Sequence, residues 1–89
     1  MKAIVTVVGK DQVGIIAAVC NRLAEYNVNV LDISQTVMQG YFTMMMVVDV
    51  SACRAPLAEL CTEMEAMGKE KGLSIRVQRE DIFEAMHRI

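Results

Sequence analysis

The chain reads as an α+β fold. We expect a ferredoxin-like β-α-β-β-α-β sandwich: a four-stranded antiparallel sheet in the order 4-1-3-2, two helices on one face, and a short C-terminal helix. Three observations predict it. Stretches with strand patterning alternate with two stretches of helical period in that sequence. The first and third strands are the most apolar, as the central pair of this order should be. A Gln39-Gly40 pair between the two middle strands is a tight hairpin turn.

Residues 2–8, Lys2-Ala3-Ile4-Val5-Thr6-Val7-Val8, are β-branched and nearly all apolar, so they suit a strand covered on both faces. The turn Gly9-Lys10-Asp11-Gln12-Val13-Gly14 follows and opens into a helix. Gly9 is expected to take a positive φ, and Gly14 to leave the first helical turn without a side chain. Ile16, Val19, Cys20, Leu23 and Tyr26 then mark one stripe of a helix of about 13 residues.

From Val28 to Met38 the alternation breaks phase. Val28 and Val30 share one face, whereas Ile33 and Val37 fall on the other, as a β-bulge would produce. The return strand, Tyr41 to Val50, puts Phe42, Met44, Met46, Val48 and Val50 on one face. Its other face, Tyr41, Thr43, Met45, Val47 and Asp49, is only half polar.

Ser51 to Ala55 is a connector, and Pro56 suits the first position of a helix, where its missing N–H costs nothing. Leu57, Leu60, Cys61, Met64 and Met67 form that helix's stripe, Lys69 and Lys71 suit its C-terminal dipole, and Gly68 or Gly72 ends it. Leu73, Ile75 and Val77 alternate with Ser74, Arg76 and Gln78 in a half-exposed edge strand. Asp81-Ile82-Phe83-Glu84 has capping-box character, with Ile82, Met86 and Ile89 on one side of a closing helix.

Size and charge narrow the function classes. The 89 residues are expected to form a single domain, 1–89, with room for one modest core but not for a cleft between two lobes. A net charge of −2 argues against a nucleic-acid binder. No apolar run approaches a membrane span, and the start lacks a signal-peptide pattern. Cys20, Cys53 and Cys61 are odd in number and contain no C-x-x-C spacing, which fits small core residues in a reducing cytoplasm.

The loop carries the candidate chemistry. A helix start presents unpaired N–H groups and a partial positive charge, where an anionic group can sit. Asp11 has two readings: it caps the helix, or it holds a ligand ammonium while the N–H groups take a carboxylate. An α-amino acid carries both groups. Other uses of such a loop lack their residues. Only Tyr41 and Phe42 are available as strand aromatics for RNA stacking, the loop has no cysteine pair for a metal, and no arginine holds a phosphoryl group.

His87 is the only histidine, and no motif pairs it with a nucleophile. Met44-Met45-Met46 cannot converge on one ion, because successive strand residues face opposite ways. No catalytic residue, metal site or cofactor is therefore expected.

Val8-Gly9-Lys10-Asp11-Gln12-Val13-Gly14-Ile15 and Tyr26-Asn27-Val28-Asn29-Val30-Leu31-Asp32-Ile33-Ser34-Gln35 together resemble the ACT domain, a small amino-acid-sensing module of metabolic regulators. The match is most similar to ACT domains that begin D-x-x-G-I, as in the glycine-cleavage repressor and formyltetrahydrofolate hydrolase. Stand-alone ACT proteins resemble the chain along its whole length. The resemblance implies a ligand site where two subunits pair, between the first loop of one and the second strand of the other.

By position, that implicates Asp11, Gln12, Val13, Gly14, Asn29 and Asp32. The family's usual proline before the second glycine is Val13 here, so the loop donates one more N–H. The resemblance also implies sheets joined edge to edge or stacked face to face. The outer residues Tyr41, Met45 and Val47, with the closing helix, would be exposed on a lone chain, so a homodimer is expected. The expected function is a non-enzymatic, cytoplasmic regulatory module for an amino acid or similar small molecule, acting on an unknown protein partner. The alternative is a ligand-free assembly module.

Overall fold

The β-branched run at the start forms the inner strand of the sheet, and the rest of the chain is laid around it. A computed structural model describes residues 1–10 and 12–81. The elements are β1 (Lys2–Lys10), α1 (Ile15–Glu25), β2 (Asn29–Met38), β3 (Tyr41–Asp49), α2 (Leu57–Lys71) and β4 (Leu73–Arg79). The sheet order is β2-β3-β1-β4 with every neighbouring pair antiparallel, which is the expected order read from the other edge. The expected closing helix, with Ile82, Met86, His87 and Ile89, lies outside the described residues.

Alternation along the strands sorts the side chains. Ala3, Val5 and Val7 of β1, Met44, Met46 and Val48 of β3, and Ile75 and Val77 of β4 are buried in one cluster with Val19, Leu23, Leu60 and Met64 of the helices. The two helices are also joined at their outer sides, where Arg22 Nη1 lies 3.0 Å from Glu63 Oε2. The three cysteines are free and half-buried. Cys61 Sγ donates to the Val77 carbonyl at 3.2 Å, so α2 reaches the backbone of β4.

The broken alternation in β2 is a bulge. Val30 pairs with Val48 and Asp32 with Val47, leaving Leu31 as the extra residue. The hairpin turn is as expected: Met38 faces Tyr41, and both turn residues have positive φ, 51° at Gln39 and 81° at Gly40.

Several local expectations are corrected. β1 continues to Lys10, because Gly9 and Lys10 still pair with Phe42 and Tyr41. Gly9 is therefore extended strand rather than a positive-φ turn. The left-handed residue is Gly14, φ 88°, which sits at the helix N-cap rather than inside the first turn. α1 is shorter than expected and buries Ile15, Val19 and Leu23; Ile16, placed on the stripe by its spacing, is 38% exposed. Pro56 occupies the N-cap of α2, one position earlier than expected. α2 ends at Gly72, and Gly68 lies within it: a Cβ there would fall 2.7 Å from the Leu73 carbonyl oxygen.

Candidate ligand site at the loop end of the sheet

The sheet has two ends, and the register shows what each gathers. At one end Lys10 pairs with Tyr41, Gly9 with Leu73, and the 39–40 turn closes β2 onto β3. The loop after Lys10, the start of α1 and the end of α2 all meet there. At the other end Lys2 pairs with Asp49, and Asp49 with Asn29.

The described loop residues stay together. Gln12 Nε2 donates to the Lys71 carbonyl at 3.0 Å, which ties the loop to the last turn of α2. That bond joins residues far apart in sequence, and nothing in the local pattern signals it. Val13 is fully exposed at the tip. Gly14 begins α1, accepting from the Ala18 N–H at 2.9 Å, and the first turn of α1 carries no acidic side chain. Among the described residues, then, no carboxylate of that turn meets its partial positive charge. Asp11 lies outside the described residues.

Asn29 and Asp32 are elsewhere. Both are exposed, and Asp32 Oδ1 accepts from the next N–H, that of Ile33, at 2.9 Å beside the bulge. Asn29 stands level with Lys2, a full strand from the loop, roughly 25 Å at the ordinary rise per residue. One chain thus brings Gln12, Val13 and Gly14 together and leaves Asn29 and Asp32 at the far end.

Two concavities lie outside this set. One, of about 550 Å³, is lined by Thr36, Met38, Gln39, Tyr41 and Thr43 on the hairpin. Its lining follows from the two-residue turn, which sets Thr36 opposite Thr43; this was legible but unused. The other, of about 580 Å³, runs between α2 and β4 past Glu65, Lys69, Ser74 and Arg76. Neither is lined by the expected site residues.

Titration is perturbed at two described positions, both outside the loop. Hydrogen bonds from Ser51 hold the Asp49 carboxyl below its ordinary value. Burial, then the nearby Glu65 charge, pushes the Cys61 thiol up, the opposite of an activated thiolate. Among the described residues no group of three or more His, Cys, Asp or Glu side chains could hold a metal ion, and no helix is long and apolar enough to cross a membrane.

Comparison with known proteins gives a consistent picture. The ACT domain family model matches residues 2–78. The UPF0237 protein lin0537 of Listeria innocua is 52% identical over 89 residues, covering all of both chains. An ACT domain protein from Streptococcus pneumoniae superposes with a TM-score of 0.82 at 49% identity, over 94% of each chain. A formyltetrahydrofolate deformylase from Pseudomonas syringae pv. tomato gives a TM-score of 0.80 at 22% identity, with 88% of this chain matching 27% of that one. At that identity the likeness concerns the fold alone.

Proposed function

The chain belongs to the ACT domain family, and from that premise we propose that it is a non-enzymatic regulatory module binding an amino acid or similar small molecule between two copies of itself. ACT domains are typically small-molecule-binding regulatory modules that dimerise. The observation that carries the reading is the separation of the candidate residues. The loop residues and the pair Asn29 and Asp32 occupy opposite ends of one sheet, so each chain holds half a site at each end.

A two-fold axis at the β2 edge reverses strand direction. It brings the loop end of one sheet level with the β2 start of the next. The α1 N–H groups then offer a seat for a carboxylate. The carboxylates of Asp11 and of Asp32 of the partner subunit would take an ammonium, and Asn29 of the partner subunit adds an amide. We place this module in the cytoplasm as a single domain that reports occupancy to a protein partner.

A thermal-shift and calorimetric screen of the twenty amino acids tests it. A true ligand raises stability as RT ln(1 + [L]/Kd), about 2.7 kcal/mol at a hundredfold excess over Kd. Asp11→Ala and Asn29→Ala should each remove the shift while the mass in solution stays that of a dimer. A panel without any shift, on a protein that is still dimeric, overturns the ligand reading. It would favour a ligand-free assembly module, the reading suited by two concavities that exclude the candidate residues.

A further inference from the structure

The concavity of about 580 Å³ beside α2 is lined by the consecutive β4 residues 73–78, with Glu65 and Lys69 of α2. Successive strand side chains face opposite ways, so such a run marks a groove along the outer edge of β4 rather than one face of the sheet. Packing within the chain forms this groove. Gly68 lets α2 come down onto the strand beside the Leu73 carbonyl, and Glu65 and Lys69, one turn apart, make the wall. The floor is main chain. The Val77 carbonyl accepts from Cys61 Sγ, and the Leu73 carbonyl faces Gly68, so both point away from β1. Groups two residues apart point to the same edge, so Ile75 between them turns its N–H and carbonyl toward the groove.

Charges along the groove are sorted by sign. Cys61 meets Val77 and Gly68 meets Leu73, so α2 and β4 run in opposite directions. Lys69 therefore stands at the Ser74 end and Glu65 toward the Gln78 end. The Glu65 charge also reaches the Cys61 thiol, which is bonded at Val77. Ser74 and Arg76 alternate with buried Leu73, Ile75 and Val77, so they come from the open face while Lys69 comes from the helix face. Glu65 and Lys69 have the spacing and order at which ion pairs close on a helix. Yet among the described residues neither they nor Arg76 belong to an ion pair. A groove with a cationic end, an anionic end and no pairing between them is complementary to a molecule of mixed charge.

We propose that this groove binds a small zwitterion, with its carboxylate at the Lys69 end and its amine at Glu65. Lys69 and Arg76 close on the carboxylate from the two faces of the sheet, and the Ser74 hydroxyl donates to it. Residues four apart on a helix are separated by about 6 Å along its axis, so the ligand's charges are a few methylenes apart rather than on neighbouring atoms of one carbon. Glu65 admits only one anionic end, because a second carboxylate there meets a like charge. The site lies within one chain, at the opposite edge of the sheet from β2, and does not depend on the shared-site reading.

An NMR titration of the isotope-labelled full chain with γ-aminobutyrate tests it, with butyrate, butylamine and glycine as controls. γ-Aminobutyrate should shift the Ile75 amide and its neighbours in the groove, and bind there about fivefold more tightly than each control, the effect of one exposed charge pair. Lys69→Ala and Arg76→Ala should each weaken both γ-aminobutyrate and butyrate. Glu65→Gln should weaken γ-aminobutyrate about fivefold and leave butyrate unchanged. All three side chains are exposed, so amide signals away from the groove should stay in place. No shift at Ile75 with γ-aminobutyrate overturns the site. Equal binding of butyrate overturns the role of Glu65, and equal binding of glycine overturns the charge spacing. Asn29→Ala, which removes the response at the shared site, should leave this titration unchanged, so the two readings fail separately.

Discussion

At the β4 edge, α2 leans over the strand so closely that Gly68 leaves no room for a Cβ against the Leu73 carbonyl, and Cys61 bonds the Val77 carbonyl. β4 also carries Arg76 and Arg79, charges that discourage another strand. At the β2 edge neither described helix comes so near, the run from Ile33 onward is uncharged, and apolar side chains of both faces are exposed. The two edges come from one small sheet, yet among the described residues one is covered by the chain's own helix and the other is not. A β2 edge left plain beside a blunted β4 edge is what supports the proposal that two copies share a site there.

Substitutions at the two edges should therefore fail differently. The largest effect falls under β4: Met64→Ala removes a side chain with no solvent exposure and should cost about 2–5 kcal/mol, read as a lower denaturant midpoint with unchanged slope. Gly68→Ala forces α2 away from β4, because the obstacle is backbone rather than a movable side chain. It should cost about 1–3 kcal/mol in the same experiment.

Val37→Ser on β2 should change the stability of the isolated chain by no more than about 0.5 kcal/mol, since the residue is exposed there. Its signature is the loss of a concentration-dependent Tm, which an associating protein shows and a monomer does not.

The smallest effect belongs to neither edge. Asp49, held between β1 and β2 partners, has a carboxyl lowered by hydrogen bonds from Ser51. A lowered folded value means that its contribution is present above the ordinary carboxyl pKa and is lost as pH falls through the folded one. Asp49→Asn should thus be slightly less stable than the parent at neutral pH, and the gap should close in acid. A gap that widens on acidification would reverse the sign assigned here.

Much of this was legible in the residues. Relative apolarity placed β1 and β3 at the centre, and the phase break between Val30 and Ile33 announced the bulge at Leu31. What was not legible turned on offsets of one residue or on long-range contacts. Ile15 and Ile16 are chemically alike, so spacing could not say which faces the core. Gly9 and Gly14 both permit positive φ, and only the extension of β1 to Lys10 decides that Gly14 uses it. The Gln12 bond to Lys71 has no local signature at all. The candidate residues were found by position, whereas their separation across the sheet appears only once the register is known.

Sedimentation equilibrium at micromolar concentration, comparing the parent chain with Gln35→Lys, tests the two-copy site most directly. A lysine placed in the middle of each β2 edge would set like charges against each other across the proposed pairing, while the exposed position leaves the folded chain undisturbed. The account predicts twice 9.9 kDa for the parent and 9.9 kDa for the variant, with identical far-UV circular dichroism. A parent that sediments at 9.9 kDa, or a variant that remains at twice that mass, would contradict it.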